Sequence, residues 1–117
     1  MCVMVVDDDP FVRESIKDIL EDEGYHVITA TDGADGLRVL RMLPSAPCVV
    51  LLDLMMPVMS GEEMLDAIRK DSQLAGLPVV VVSAKPTTSV PGARHVVGKP
   101  FRLDVLLEKI REFCVDV

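Results

Sequence analysis

The sequence predicts an α/β fold, a doubly wound three-layer sandwich around a five-stranded parallel sheet. Short apolar runs recur along the 117-residue chain, and amphipathic stretches of helical period lie between them. Strands that alternate with helices form parallel sheets through right-handed crossovers, and in doubly wound folds the helices lie on both faces of the sheet. Aromatic residues make up only 3% of the chain, so the core is expected to be aliphatic, which suits strands buried on both faces.

Five short runs rich in apolar residues are the predicted strands. They cover residues 2–6, 25–30, 48–52, 79–82 and 95–97. The third run ends in four consecutive apolar residues and is followed by Asp53 and, shortly afterwards, by Pro57. A short apolar run that a turn ends is typical of a strand covered on both faces. Pro78 is compatible with the fourth run, because the first position of a strand tolerates proline.

Two helices are predicted in the first half of the chain. The first begins at Pro10, with Asp9 as its N-cap, and ends at Gly24. Proline suits the first helical position, an acidic side chain suits the cap, and glycine is common just after a helix. The second helix opens at Asp32 and ends before Pro44, which cannot continue a helix.

The second half is predicted to contain two helices and one irregular connection. Ser60 and Glu63 have the spacing of a capping box, which begins the third helix. The last helix, residues 103–113, carries the best apolar stripe of the chain. Residues 85–94 hold two prolines and a glycine, so a regular helix is not expected there. The fourth helix of the alternation is therefore expected to be missing or very short.

Composition limits the function classes. The chain is expected to form one domain, residues 1–117, because its length suits a single core. Its net charge of −7 argues against direct binding of nucleic acid, which needs clustered basic residues. No apolar run approaches the roughly 18 residues of a membrane-spanning helix, so no membrane contact is expected and the cytoplasm is the expected location.

The chain has three cysteines, Cys2, Cys48 and Cys114. Their number is odd and their spacing matches no short metal-ligand motif, so neither a disulfide framework nor a zinc site is expected. The pattern indicates a reducing compartment.

Polar and charged residues follow four of the five predicted strands. They are Asp7, Asp8, Asp53, Ser83 and Lys99. Parallel strands bring their C-terminal ends to one edge of the sheet, so these side chains are expected to converge. Crowded carboxylates raise each other's pKa unless a cation neutralises them, and a hard divalent cation such as Mg²⁺ suits oxygen ligands. Asp53 is then a candidate nucleophile toward phosphorus, with Lys99 balancing charge and Ser83 donating a hydrogen bond.

Four short motifs together resemble a known family. They are Val-Val-Asp-Asp-Asp-Pro at 5–10, Leu-Asp-Leu-Met-Met-Pro at 52–57 with Gly61 after it, Ser83-Ala84, and Lys99-Pro100-Phe101. In these motifs the chain resembles, over essentially its whole length, the receiver domain of two-component response regulators, in the style of the chemotaxis regulator. For the fold, the resemblance implies a five-stranded parallel sheet of strand order 2-1-3-4-5, the flavodoxin-like arrangement. The resemblance implies a signalling phosphoacceptor that catalyses only its own phosphorylation and dephosphorylation, not an enzyme in the usual sense.

The resemblance also implies a role for each acidic residue. Asp53 would accept a phosphoryl group from a phosphohistidine of a sensor histidine kinase or a histidine phosphotransfer protein, in a step that depends on Mg²⁺, with Mn²⁺ as an alternative ion. Asp8, Asp53 and the backbone carbonyl of Met55 would ligate the metal directly, and Asp7 would act through water.

Ser83 and Lys99 match the family's switch hydroxyl and its lysine, and the implied output is a surface change near Ser83 on phosphorylation. Two departures from the family pattern affect this output. Val96 stands where the family has its switch aromatic, so the coupled hydroxyl–aromatic movement is not carried over. The separation of Ser83 from Lys99 is shorter than in the family by more than one helical turn, which again indicates a missing fourth helix. The sequence specifies neither the output partner nor the oligomeric state.

Two other function classes are compatible with part of the sequence. A haloacid-dehalogenase-type enzyme also uses an aspartyl phosphate and Mg²⁺, but it carries Asp-x-Asp-x-Thr/Val after its first strand, and Phe11 occupies the last position of that pattern here. A pseudo-receiver, an interaction module that no longer signals by phosphate, is favoured by Val96 and the shortened connection. The complete set of acids argues against it.

Overall fold

Strands and helices alternate along the described residues, except that no helix is described between the fourth and fifth strands. The computed structural model describes residues 2–84 and 90–114. The strands are β1 (Cys2–Val6), β2 (His26–Ala30), β3 (Val49–Asp53), β4 (Val79–Ser83) and β5 (His95–Gly98). The helices are α1 (Pro10–Asp22), α2 (Gly33–Met42), α3 (Gly61–Lys70) and α4 (Leu103–Phe113). All strand pairs are parallel and the sheet order is β2-β1-β3-β4-β5, which confirms the predicted fold class and strand order.

Helices cover both faces of the sheet. Successive side chains of a strand point to opposite faces, so each central strand contributes to both core clusters. One core cluster lies between the sheet and α2 with α3, and its strand members include Met4, Val6, Val50, Leu52, Val79 and Val81. The other lies between the sheet and α1 with α4, and its strand members include Val3, Val5, Val49, Leu51, Val80 and Val82. Burying each such side chain contributes roughly 1.5–3 kcal/mol to the stability of the fold. The central strands therefore hold the residues at their C-terminal ends in fixed positions.

The helix starts follow the predicted capping residues. The Asp9 carboxylate accepts hydrogen bonds from the N–H of Phe11 at 2.9 Å and of Val12 at 3.4 Å. At α3, the Ser60 hydroxyl accepts from the Glu63 N–H at 3.2 Å, and the Glu63 carboxylate accepts from the Ser60 N–H at 3.1 Å. These bonds satisfy N–H groups that a helix end leaves unpaired. Within the described ranges, no helix combines the length and apolar character needed to cross a bilayer.

The connection between β4 and β5 differs from the other crossovers. Its described part, residues 90–94, contains a turn and no helix, as the sequence predicts, whereas residues 85–89 lie outside the described residues. Gly92 has a φ of +90°, and a Cβ at this position would lie 2.5 Å from Cδ of Arg69 on α3. The stem of Arg69 therefore packs directly on the backbone of Gly92, whose positive φ glycine adopts at the lowest steric cost. Because no helix is described between β4 and β5, the last helix, α4, is the one that follows β5.

Cys48 and Cys114 form a disulfide bond, so the expectation that the chain has no disulfide is wrong. Cys48 directly precedes β3 and Cys114 directly follows α4, and the fold brings their Cα atoms to 5.3 Å. The pairing depends on how α4 packs across the sheet, which neither the number nor the spacing of cysteines reports. The cysteine pattern therefore no longer supports the prediction of a reducing compartment. Cys2 is a free, partly buried thiol.

The loop between β3 and α3 holds one residue in an unusual backbone conformation. Val58 has a φ of +68°, in the left-handed region that β-branched residues rarely adopt. Its side chain is 85% exposed, so burial does not offset the strain. The loop is fixed around Val58 by the Met59 N–H, which donates to the Pro57 carbonyl at 2.7 Å. It is fixed again by the Gly61 N–H, which donates to the Leu54 carbonyl at 3.0 Å.

Replacement of Val58 by asparagine is expected to raise the free energy of unfolding by about 1 kcal/mol, because Asn adopts the left-handed conformation at a lower steric cost. Urea denaturation measures the change. Val58→Ala, which removes the branch but keeps a Cβ, should gain less. A loss of stability in Val58→Asn would contradict the assignment of strain.

The disulfide bond is expected to stabilise the fold, because it links residues 66 positions apart and so restricts the unfolded chain. Closure of a loop of this size contributes roughly 4 kcal/mol in the chain-entropy account. Urea denaturation with and without a dithiol reductant should show a drop of this order in the wild type and in Cys2→Ser, and none in Cys48→Ala. Three reactive thiols in the unfolded, unreduced wild type would refute the pairing.

Candidate functional site

The C-terminal ends of β1, β3, β4 and β5 lie along one edge of the sheet. The residues at or directly after these ends are Asp7, Asp8, Asp53, Ser83 and Lys99. The strand register aligns the ends, since Ser83 lies opposite Gly98 in the β4–β5 pair. The Lys99 N–H extends this pairing by donating to the Ser83 carbonyl at 2.8 Å. The five side chains that the sequence singles out are therefore neighbours along one edge.

Three carboxylates crowd together at this edge. Asp7, Asp8 and Asp53 each offer an oxygen atom, and these oxygens lie within 4.8 Å of one another. Asp7 is 3% exposed and Asp53 is 8% exposed, whereas Asp8 is open to solvent. Like charges this close repel each other, and burial strengthens the repulsion because water screens it less. The spacing is comparable to the roughly 4.2 Å across an octahedron of oxygens about 2.1 Å from Mg²⁺. The all-oxygen donor set therefore fits such an ion.

Among the described residues, Lys99 is the cation in contact with this acidic cluster. Its Nζ lies 3.1 Å from Oδ2 of Asp7 and 3.7 Å from Oδ1 of Asp53. The Lys99–Pro100 peptide bond is cis. One ammonium group offsets the charge of only one of the three carboxylates. The cluster therefore retains a negative charge that attracts a further cation.

The pKa of Asp53 is raised above its usual value. Burial is the main cause, the charge of Asp7 adds to it, and Asp8 contributes less. Lys99 acts in the opposite direction, as does the Met55 N–H, which donates to Oδ1 of Asp53 at 3.4 Å. The ionised form of Asp53 is thus disfavoured in the folded chain, and a bound divalent cation would favour it.

Asp7 is held at each of its polar groups. Its Oδ1 accepts from the Asp9 N–H at 2.9 Å, and its own N–H donates to the Ala30 carbonyl at 3.2 Å. Its carbonyl oxygen accepts from Nη1 of Arg13 on α1 at 2.7 Å. The sequence does not indicate this contact of Arg13, because arginine is mostly found at the surface. Only the path of the β1–α1 turn brings it to this carbonyl.

Gly61 lets α3 approach the end of β3 closely. A Cβ at this position would overlap the Asp53 carbonyl oxygen and would lie 2.8 Å from the Cα of Leu54. Because both atoms belong to the backbone, they cannot move aside as a flexible side chain can. The glycine in the motif is thus required by packing directly behind the acidic cluster.

The other residues that the sequence singles out lie near the cluster or in the core. Ser83 is buried at the end of β4. Met55 places its backbone N–H toward Asp53, while its side chain is exposed. Val96, at the position of the family's switch aromatic, is half-buried and packs against the core on the α2–α3 side. Phe11 is exposed on the first turn of α1.

Two curated relatives match nearly the whole chain. The sensor histidine kinase TmoS of Ectopseudomonas mendocina is 40% identical over 97% of this chain and 10% of its own length. The DNA-binding response regulator MtrA of Mycolicibacterium smegmatis is 36% identical over 93% of this chain and 48% of its own length. The chain thus spans about half, or much less, of the curated relatives that it matches.

A solved structure and a family model agree with these relatives. The response regulator TrrA from Thermotoga maritima, in complex with Mg²⁺-BeF, has a TM-score of 0.83 at 31% identity, over 97% of this chain and 98% of that chain. The model of the response regulator receiver domain matches residues 3–111. With its 2-1-3-4-5 sheet and its acidic edge, the chain belongs to the family of response regulator receiver domains.

Proposed function

We propose that residues 1–117 form one receiver domain in which Asp53 accepts a phosphoryl group from the phosphohistidine of a sensor histidine kinase or a histidine phosphotransfer protein. The observation that carries the proposal is the environment of Asp53. This carboxylate ends a buried strand, lies within 4.8 Å of the oxygens of two other carboxylates, and has the ammonium of Lys99 3.7 Å away.

Asp8 and Asp53 would hold a Mg²⁺ ion directly together with the backbone carbonyl of Met55, and Asp7 would act through water. Mn²⁺ is the alternative ion. When bound, the ion supplies positive charge that offsets the negative charge of the phosphoryl group in the transition state. The exposure of Asp8 keeps this side of the cluster accessible from solvent.

In the proposed reaction, an oxygen of Asp53 attacks phosphorus, and the bond between phosphorus and the histidine nitrogen breaks. The nitrogen leaves with the bonding electron pair, and the product is an acyl phosphate on Asp53. Lys99 balances the charge gained at this position, and the Ser83 hydroxyl donates a hydrogen bond to a phosphoryl oxygen. Both residues are held close by the strand ends, since the Lys99 N–H donates to the Ser83 carbonyl.

The proposed role is signalling in the cytoplasm, with a surface change near Ser83 as the output. Catalysis beyond the domain's own phosphorylation and dephosphorylation is not proposed. Matched relatives include a sensor kinase and a DNA-binding regulator, so either kind of longer protein is a compatible context. A dehalogenase-type enzyme is disfavoured, because the second acid of its pattern would be Asp9, whose carboxylate caps α1.

Acetyl phosphate with Mg²⁺ is expected to add one phosphoryl group to the wild type and none to Asp53→Asn. Intact-mass spectrometry measures the product. Asp9→Asn is the matched control, because it removes a neighbouring charge, keeps a good N-cap and should leave labelling in place. Equal labelling of the wild type and Asp53→Asn would refute Asp53 as the acceptor. A wild type that is never labelled would favour the pseudo-receiver.

Asp53→Asn is also expected to stabilise the metal-free fold at neutral pH by on the order of 1 kcal/mol. A carboxyl with a raised pKa in the folded state is protonated more readily there than in the unfolded chain. Its ionisation therefore lowers stability as the pH rises through that pKa. The advantage of Asn should shrink as the pH falls and Asp53 becomes protonated. Urea denaturation across this range measures it, and an advantage that grows toward acid pH would show that the sign is wrong.

A further inference from the structure

We propose that Arg13 is a positioning residue for Mg²⁺ binding, because its guanidinium fixes the β1–α1 turn and thereby the place of Asp8. The inference rests on the proposed function, since it concerns how the acidic cluster binds the ion. Arg13 is half-buried and lies three residues after Pro10, the first residue of α1. Within residues 2–84 and 90–114, its side chain makes one polar contact, the 2.7 Å hydrogen bond to the Asp7 carbonyl.

Asp8 depends on its backbone for its position. The neighbouring Asp7 carboxylate is held by the Asp9 N–H at 2.9 Å and by Lys99 Nζ at 3.1 Å. The Asp8 side chain is exposed and makes no hydrogen bond to the described residues. The carbonyl that Arg13 holds belongs to the peptide group joining Asp7 to Asp8. Because that group is planar, fixing its oxygen also fixes the direction in which the Asp8 Cα lies.

Arg13 is itself anchored to the same turn. Its backbone N–H donates to the Asp9 carbonyl at 3.0 Å, and α1 is packed on the sheet by the buried side chains of Ile16 and Leu20. Backbone and side chain of one residue thus connect α1 to residues on both sides of Asp8. The guanidinium also bonds a carbonyl and not a carboxylate, so it orders the turn without occupying a carboxylate oxygen of the cluster.

Positioning and net charge predict opposite effects of removing Arg13. If the guanidinium acted only as a nearby positive charge, its loss would make the acidic cluster more negative and would tighten the binding of a divalent cation. If it holds Asp8 in place, its loss frees the turn and weakens binding. Loss of a residue that orients metal ligands typically costs about tenfold in affinity. The direction of the change therefore separates the two roles.

The test is a Mg²⁺ titration of the full chain followed by amide chemical shifts, since the chain contains no Trp for fluorescence. Arg13→Ala is expected to raise the Mg²⁺ dissociation constant about tenfold. Arg13→Lys, which can still donate to the carbonyl, should recover most of the affinity. Lys17→Ala, which removes a cation one turn further along α1, should bind Mg²⁺ as tightly as the wild type or slightly more tightly. The amide spectrum of each metal-free variant, away from the β1–α1 turn, reports whether the fold is intact.

Unchanged or tighter binding in Arg13→Ala would overturn the positioning role, and so would equal weakening in Arg13→Lys or in Lys17→Ala. These outcomes leave the proposed function standing, because the wild type would still bind Mg²⁺. Failure of the wild type itself to bind Mg²⁺ would instead overturn the metal site, and the role of Arg13 with it.

Discussion

Repulsion among three carboxylates at one sheet edge is the constraint on which the rest of the molecule depends. Asp7 and Asp53 are buried at the ends of strands whose side chains fill the core, so neither can move away from the other without disturbing the sheet. Lys99 relieves part of the repulsion by contacting both. The remaining negative charge disfavours the metal-free folded state and, for the same reason, favours a divalent cation. A cation that binds to the cluster would therefore also stabilise the fold, because it would offset the same charges.

The loop between β3 and α3 combines a close backbone approach with a strained backbone conformation. Gly61 brings α3 against the carbonyl of Asp53, where a Cβ would not fit, and Val58 is held at positive φ three residues earlier. Strain of this kind persists only where neighbouring bonds determine the chain path. Here those bonds are the ones made by the N–H groups of Met59 and Gly61. The loop that follows Asp53 is thus kept in one shape at a cost in stability.

Features with a local sequence signal could be predicted, and features that depend on tertiary contact could not. The capping box at Ser60 follows from spacing alone, and convergence of Asp53 with Lys99 follows from the rule that parallel strands share an edge. The Cys48–Cys114 bond depends on α4 ending close to the residue that precedes β3. The contact of Arg13 depends on the path of a turn. Neither has a local pattern, because each joins elements whose relative position is set by core packing.

The two ends of β3 lie beside different features of the molecule. The disulfide lies where β3 begins, after Cys48, and the acidic cluster lies where β3 ends, at Asp53. Between them the strand is buried at every residue and paired on both sides. A cross-link at the first end restricts the unfolded chain, while the register of the ladder continues to set the geometry at the second. The covalent bond can therefore contribute stability that offsets the repulsion among the carboxylates without touching any residue of the cluster.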